Sequence, residues 1–269
     1  MRGSREVLEE VHRLGYGVSG PIARGAFLLE RISDGRPAVL RVLPWNYGWS
    51  ERFTAHVAPA WRRVAEPRVV RLLAVGPQAS GFLIREHVDG IDLRALLRRG
   101  PLPAALGAHV ATQLCAALTA LHREAGPHLR LWPGHVLISS EGSVKLIGLE
   151  DRHEERRFEA SGPVGPPDAL AYCCPEEIMS ARVDARGDVF SLGILVFEAL
   201  VGQPLFGGVI CRKAKHRKTL IDNRHRPMQH FCRGIGFTVN LAGLFQFQSC
   251  LASNCPRRPP PKGEKRIMV

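Results

Sequence analysis

Along the first 90 residues the apolar positions come in short runs broken by turn residues, the pattern of strands and tight connections rather than of long helices. AFLLERIS (26–33) and RPAVLRVLP (36–44) flank Asp34-Gly35, a strong short-range hairpin signal, so two antiparallel strands are predicted. PRVVRLLAVG (67–76) and GFLIREHV (81–88) form a second such pair, with a short helix between the hairpins over 51–65 despite Pro59. From about residue 91 the period lengthens: Leu106, Val110, Leu114, Leu118 and Leu121 share one face of a long helix. VLISSEGSVKLI (136–147) reads as a compact hairpin around Glu141-Gly142. Residues 151–170 are charged and then rich in Gly and Pro, which predicts a long loop. DVFSLGILVFEALVG (188–202) is apolar all round, as a helix buried on every side would be. The expected architecture is a small strand-rich lobe followed by a larger helical one.

Composition narrows the function classes. A chain of 269 residues has ample length for a core. The N-terminus lacks an apolar leader segment, and the run LGILVFEALV (192–201) is too short to span a bilayer, so no transmembrane segment and a cytoplasmic location are expected. Seven cysteines without regular spacing predict reduced thiols, and the absence of a Cys-x-x-Cys pair argues against a zinc site.

The formal charge of +12 is unevenly placed: 13 of the 37 Lys and Arg but only 2 of the 25 Asp and Glu fall in residues 209–269. The first 208 residues are therefore nearly neutral. The basic stretch 211–233, beginning CRKAKHRK, could contact nucleic acid or an acidic surface, but Phe231 is its only aromatic, and a solvated basic face explains it as well. PRRPPPKGEK near the end has the composition of a disordered segment.

The order of elements, with PHLRLWPGHVLI (127–138) entering the later hairpin, resembles a eukaryotic-type serine/threonine protein kinase domain. RPAVLRVLP resembles the lysine-bearing strand, FLIREHVDGIDLRALLRRG the hinge and following helix, and PHLRLWPGHVLI the catalytic loop. KLIGLED resembles the metal-binding turn, AYCCPEE the end of the activation segment, and DVFSLGILVFEALVGQPLF the buried helix. The resemblance implies an α+β, two-lobed, protein-kinase-like fold, with a β-rich N-lobe over 10–88 and a helical C-lobe over 89–208. A basic segment over 209–260 holds an uncertain remainder of the C-lobe, which is expected to be incomplete, and 261–269 form a disordered tail.

Kinase chemistry needs a glycine-rich loop, a lysine held by a helix glutamate, an aspartate base, and an asparagine and an aspartate for magnesium. The resemblance puts Gly20 and Gly25 in the glycine loop, with Ile22 at its middle position and Pro21 removing an amide. Arg41 takes the lysine position and His56 or Val57 the helix-glutamate position, while Glu86 and Val88 fall in the hinge beside the nucleotide cleft. Arg85 occupies the back of the adenine pocket, where a buried guanidinium would have to reach Glu86, Glu150 or solvent.

Arg130 stands at the base position, and a guanidinium has no lone pair to accept a proton. His135 takes the place of the metal-binding asparagine and Gly148 that of the metal-binding aspartate, with Glu150 or Asp151 as distant substitutes. Leu129 replaces an arginine that commonly receives an activating phosphate, and Ser161 is the one hydroxyl in the loop. His128, Glu176, Asp188 and Gly193 match structural positions, with Arg258 as the expected partner of Glu176.

The leading expectation is a kinase fold without phosphotransfer, acting on an unknown protein partner as a binding or regulatory module. No cofactor is expected, with ATP the one candidate for the cleft and magnesium disfavoured. The alternatives are an active kinase with relocated base and metal ligands, a nucleic-acid binder working through its basic tail, and a degenerate gene fragment.

Overall fold

Alternation in the first strands decides which residues face the core and which face the cleft. In the computed structural model, which describes residues 2–23, 25–43, 51, 53–77, 81–152, 167–178 and 183–206, five strands form one antiparallel sheet. They are β1 (Tyr16–Ala23), β2 (Ala26–Arg31), β3 (Pro37–Val42), β4 (Leu72–Val75) and β5 (Phe82–Glu86), in the order β1-β2-β3-β5-β4. Both predicted strand pairs form. Ala38, Leu40, Phe82 and Ile84 point to one face, where they pack with Tyr16, Leu29 and Val11 of α1 (Arg2–Arg13). Because side chains alternate along a strand, Val39 and Arg41 of β3 and Arg85 of β5, which is paired with Val39, are left on the opposite face.

The predicted helix over 51–65 is a π-helical turn, Phe53–Val57, continued by α2 (Ala58–Arg63), with Pro59 in its first turn. Pro is tolerated there because the first amides of a helix lack intrahelical partners. Its Trp61 is buried and donates to Val70 O at 2.6 Å.

The second lobe begins with β6 (Gly90–Asp92) and α3 (Leu93–Leu97), capped by the Asp92 carboxylate accepting from Ala95 N at 2.7 Å. The long helix α4 (Ala104–Glu124) buries Val110, Leu114, Leu118 and Leu121 of the stripe read from the sequence, while Leu106, in its first turn, is half-buried. It is the one helix among the described residues long and apolar enough to cross a membrane by length and composition; its apolar stripe is spent on the domain core.

β7 (Val136–Ser139) and β8 (Val144–Leu146) make the predicted hairpin and extend with β6 into a three-stranded sheet. After α5 (Pro175–Ile178) comes α6 (Ala185–Val201). It is buried along most of its length but not on all sides: Leu200 and Val201, at its end, are 40% and 50% exposed.

Candidate functional site

A cavity of about 550 Å³ lies between the free face of the five-stranded sheet and the β6–β8 sheet. The strand alternation that builds the N-lobe core also aims Val39, Arg41 and Arg85 into it. Gly20 lies within β1 opposite Leu28, with irregular register on either side, and Ile22 and Ala23 reach the cavity. Gly25 closes the β1–β2 turn with φ near +70°, a left-handed conformation that glycine adopts without strain. Gly25 lies beside the Arg41 guanidinium, which lines the cavity rather than standing in open water. His56 is exposed and Val57 is half-buried.

Arg85 is nearly enclosed. Burial lowers its pKa, opposed most by the negative charge of Glu150 across the cleft. Its sequence neighbour Glu86 contributes less counter-charge, because that carboxylate takes hydrogen bonds from Lys145 Nζ at 2.6 Å and Arg71 Nε at 2.8 Å. Burial alone would raise the Glu86 pKa, but these two cations outweigh it and hold the pKa below its ordinary value. Of the three outlets expected for Arg85, Glu150 is the principal one. His87 and Val88, next along the hinge, line the same cavity.

The segment from His128 to His135 is held from below by Asp188, which is fully buried on α6. Its Oδ2 accepts from His128 N at 2.6 Å and from His122 Nε2 at 2.7 Å, and its Oδ1 from Leu129 N at 2.6 Å. Leu129 has φ near +60°, costly for a side chain branched at Cγ, and the Asp188 carboxylate holds its amide in place. His128 is fully buried, with Nε2 donating to Ile147 O at 2.9 Å and Nδ1 accepting from Arg130 N at 3.2 Å. Those partners fix the neutral ring, and burial pulls its pKa down to about 4.

Arg130 turns toward Glu177 of α5, with 3.6 Å between Nη1 and Oε1. His135 follows Trp132-Pro133-Gly134 on a short 3-10 turn. Its Nδ1 donates to Arg130 O at 2.7 Å and its Nε2 lies 3.3 Å from Asp151 Oδ2. Gly148, with φ near +93°, backs directly onto this imidazole: a Cβ at 148 would fall less than 3.0 Å from the ring. Trp132 completes the wall, edge-on to His135 and covered by the Arg94 guanidinium 5.4 Å from its ring centre.

Arg41, Arg85, Val88, His135, Glu150 and Asp151 thus share one cavity. Arg130 and His128 lie behind it, tied to it through His135. Lys145 and Trp132 were missed as site residues by the sequence reading, which weighed Asp151 only as a distant substitute for a metal ligand; the KLIGLED motif holds Lys145 and Asp151, but only the fold reveals what they face. Among the described residues no three His, Cys, Asp or Glu side chains cluster as metal ligands would.

Glu176 is exposed, and its expected partner Arg258, with Ser161, the basic stretch 211–233 and the rest of 209–269, lies outside the described residues. The thiols here are held protonated by burial, Cys115 up to about 11 and Cys174 to about 12, as expected for inert reduced cysteines.

The family model for the protein kinase domain matches residues 58–252, well over half of the chain. The serine/threonine-protein kinase PknL of Mycobacterium tuberculosis is 33% identical over 180 residues, covering 64% of this chain and 45% of that protein. The serine/threonine-protein kinase pkn2 of Myxococcus xanthus is 30% identical over 213 residues, 74% of this chain and 25% of the relative. PknB of M. tuberculosis is 29% identical over 130 residues, 47% of this chain and 21% of the relative. The chain spans less than half the length of each of these relatives.

Proposed function

The chain belongs to the protein kinase domain family, and on that premise we propose that it is a member without phosphotransfer, a pseudokinase whose cleft and helical lobe serve as a binding or regulatory module for a protein partner. The observation that carries this reading is the contact between His135 and Gly148. The imidazole fills the room a side chain at 148 would need, so the pair that would hold a metal in an active relative is replaced at both members by residues fitted to each other.

Arg130 supports the same reading. It is a permanent cation at the base position, engaged with Glu177, and cannot take a proton from a hydroxyl. Magnesium prefers oxygen ligands in octahedral array, and the groups present fit it poorly: Gly148 offers no side chain, and His135 is held by Arg130 O and Asp151. ATP without metal would meet Arg41 and Arg85 in the cleft, which supports treating nucleotide as an incidental ligand. A cytoplasmic location is part of this proposal.

A second reading rests on Asp151. It lines the cleft beside His135 and would serve as a relocated metal ligand in an active enzyme, which by analogy with relatives named serine/threonine-protein kinases would act on protein hydroxyls. Thermal denaturation with ATP, with and without magnesium, coupled to radiolabelled phosphate transfer onto a generic protein substrate, separates the two. The expected result is no metal-dependent stabilisation and no transfer. Transfer that Asp151→Asn abolishes would establish the second reading instead.

A further inference from the structure

Burying a charged group without a hydrogen-bond partner is among the more expensive things a fold can do. This cleft does it twice. Nε and Nη1 of Arg85 and Oε2 of Glu150 are all buried and lack a hydrogen-bond partner among the protein groups, on residues only 8% and 4% exposed. The other carboxylates near Arg85 are engaged elsewhere, Glu86 with Lys145 and Arg71 and Asp151 with His135. Arg85 and Glu150 both line the cavity with their orphaned atoms set beneath its surface, and Val39, Leu137 and Ile147 add apolar surface suited to a flat ring. Unpaired donors and an unpaired acceptor of opposite charge, beside apolar walls, are complementary to one kind of molecule.

Extending the reading of the cleft as a non-catalytic binding site, we propose that it takes a small planar organic carboxylate whose oxyanion meets the Arg85 guanidinium and whose adjacent N–H donor meets Glu150. Such a ligand satisfies the orphaned groups on both residues and needs no metal. A bare adenine ring offers no anion to Arg85, so this ligand class differs from the nucleotide implied by the family. Charge-assisted hydrogen bonds from a buried guanidinium are the strong kind, which makes Arg85 the residue on which affinity depends.

The test uses the full chain and 2-aminobenzoate, a ring with a carboxylate beside an amine, titrated by ligand fluorescence and by calorimetry. Aniline is the control that lacks the carboxylate. Saturable binding of 2-aminobenzoate is expected, with aniline weaker by about tenfold or more, the loss of one charge-assisted hydrogen bond. Arg85→Leu should weaken 2-aminobenzoate by a similar factor, and Arg85→Lys, which keeps a cation, should recover part of it.

Absence of saturable binding to the wild-type chain overturns the proposal, as does equal binding by Arg85→Leu. Should Arg85→Leu not fold, the wild-type ratio decides alone, and a ratio near one overturns it. The phosphate-transfer assay is run on the same preparation. Transfer there counts against the non-catalytic reading and leaves carboxylate binding to be judged by its own titration.

Discussion

His135 and Gly148 occupy each other's space: the imidazole lies where the first side-chain atom of any other residue at 148 would go. The two positions are therefore coupled. Gly148→Asp alone should be destabilising, by roughly 1–2 kcal/mol for a left-handed backbone and roughly 1–3 kcal/mol for the overlap. His135→Asn should remove the overlap and leave the backbone cost. A double-mutant cycle by urea denaturation should show favourable coupling of about 1 kcal/mol or more, as expected for residues in contact. Additive effects would mean that the ring does not limit position 148.

His128 sets a pH dependence. Its folded pKa is about 4 against an ordinary 6.5, so between those values the unfolded chain binds a proton that the native state refuses. The contribution is full above pH 6.5 and is lost as pH falls toward 4, amounting to about 3 kcal/mol. His128→Gln should flatten the stability profile between pH 4 and 6.5, measured by chemical denaturation across that range. An unchanged slope would mean the ring is not held neutral.

Asp188 holds two backbone amides and the His122 ring from a fully buried position. Asp188→Ala leaves those donors unsatisfied and should cost about 3–5 kcal/mol. The readout is the loss in free energy of unfolding together with faster hydrogen exchange at the amides of 128 and 129, where Leu129 is held at positive φ. A surface aspartate such as Asp89, exposed at the start of the second lobe and replaced in the same way, should change stability by less than about 0.5 kcal/mol.

Arg85 and Glu150 should behave as a charge pair whose members cost more to lose singly than together. Either Arg85→Met or Glu150→Gln leaves the other charge buried without its principal counter-charge, whereas the double variant exchanges two orphaned groups for neutral ones. Replacing a buried pair is often neutral or stabilising by about 1–4 kcal/mol. Melting temperatures of the single and double variants check this, and a double variant less stable than both singles would contradict it.

The elements that hydrophobic period could reach were legible in the sequence: both N-lobe strand pairs, the stripe of α4 and the β7–β8 hairpin formed as read. α1 and β1 escaped because the signal there is thin. α1 spends one buried valine on the core, and β1 carries Gly17, Gly20 and Pro21 with register breaks that blur alternation. β6 escaped because three residues are too few to show a period. Within the site, identity was legible wherever a motif fixed the position, as for Arg130, His135 and Gly148. Which neighbour each side chain meets was not, since Arg130 with Glu177 and Glu86 with Lys145 join residues far apart in sequence.

The rear of the cleft is stitched through the main chain. Leu146 of β8 donates to Arg68 O at 2.7 Å and accepts from Val70 N at 3.0 Å, and Lys145 beside it reaches Glu86. Opening the two sheets at that seam would break backbone bonds and a half-buried ion pair in one event. The cleft is therefore hinged where its main chain is shared: amides of Val70 and Leu146 should exchange only through a rare, large-scale opening that parts both sheets at once.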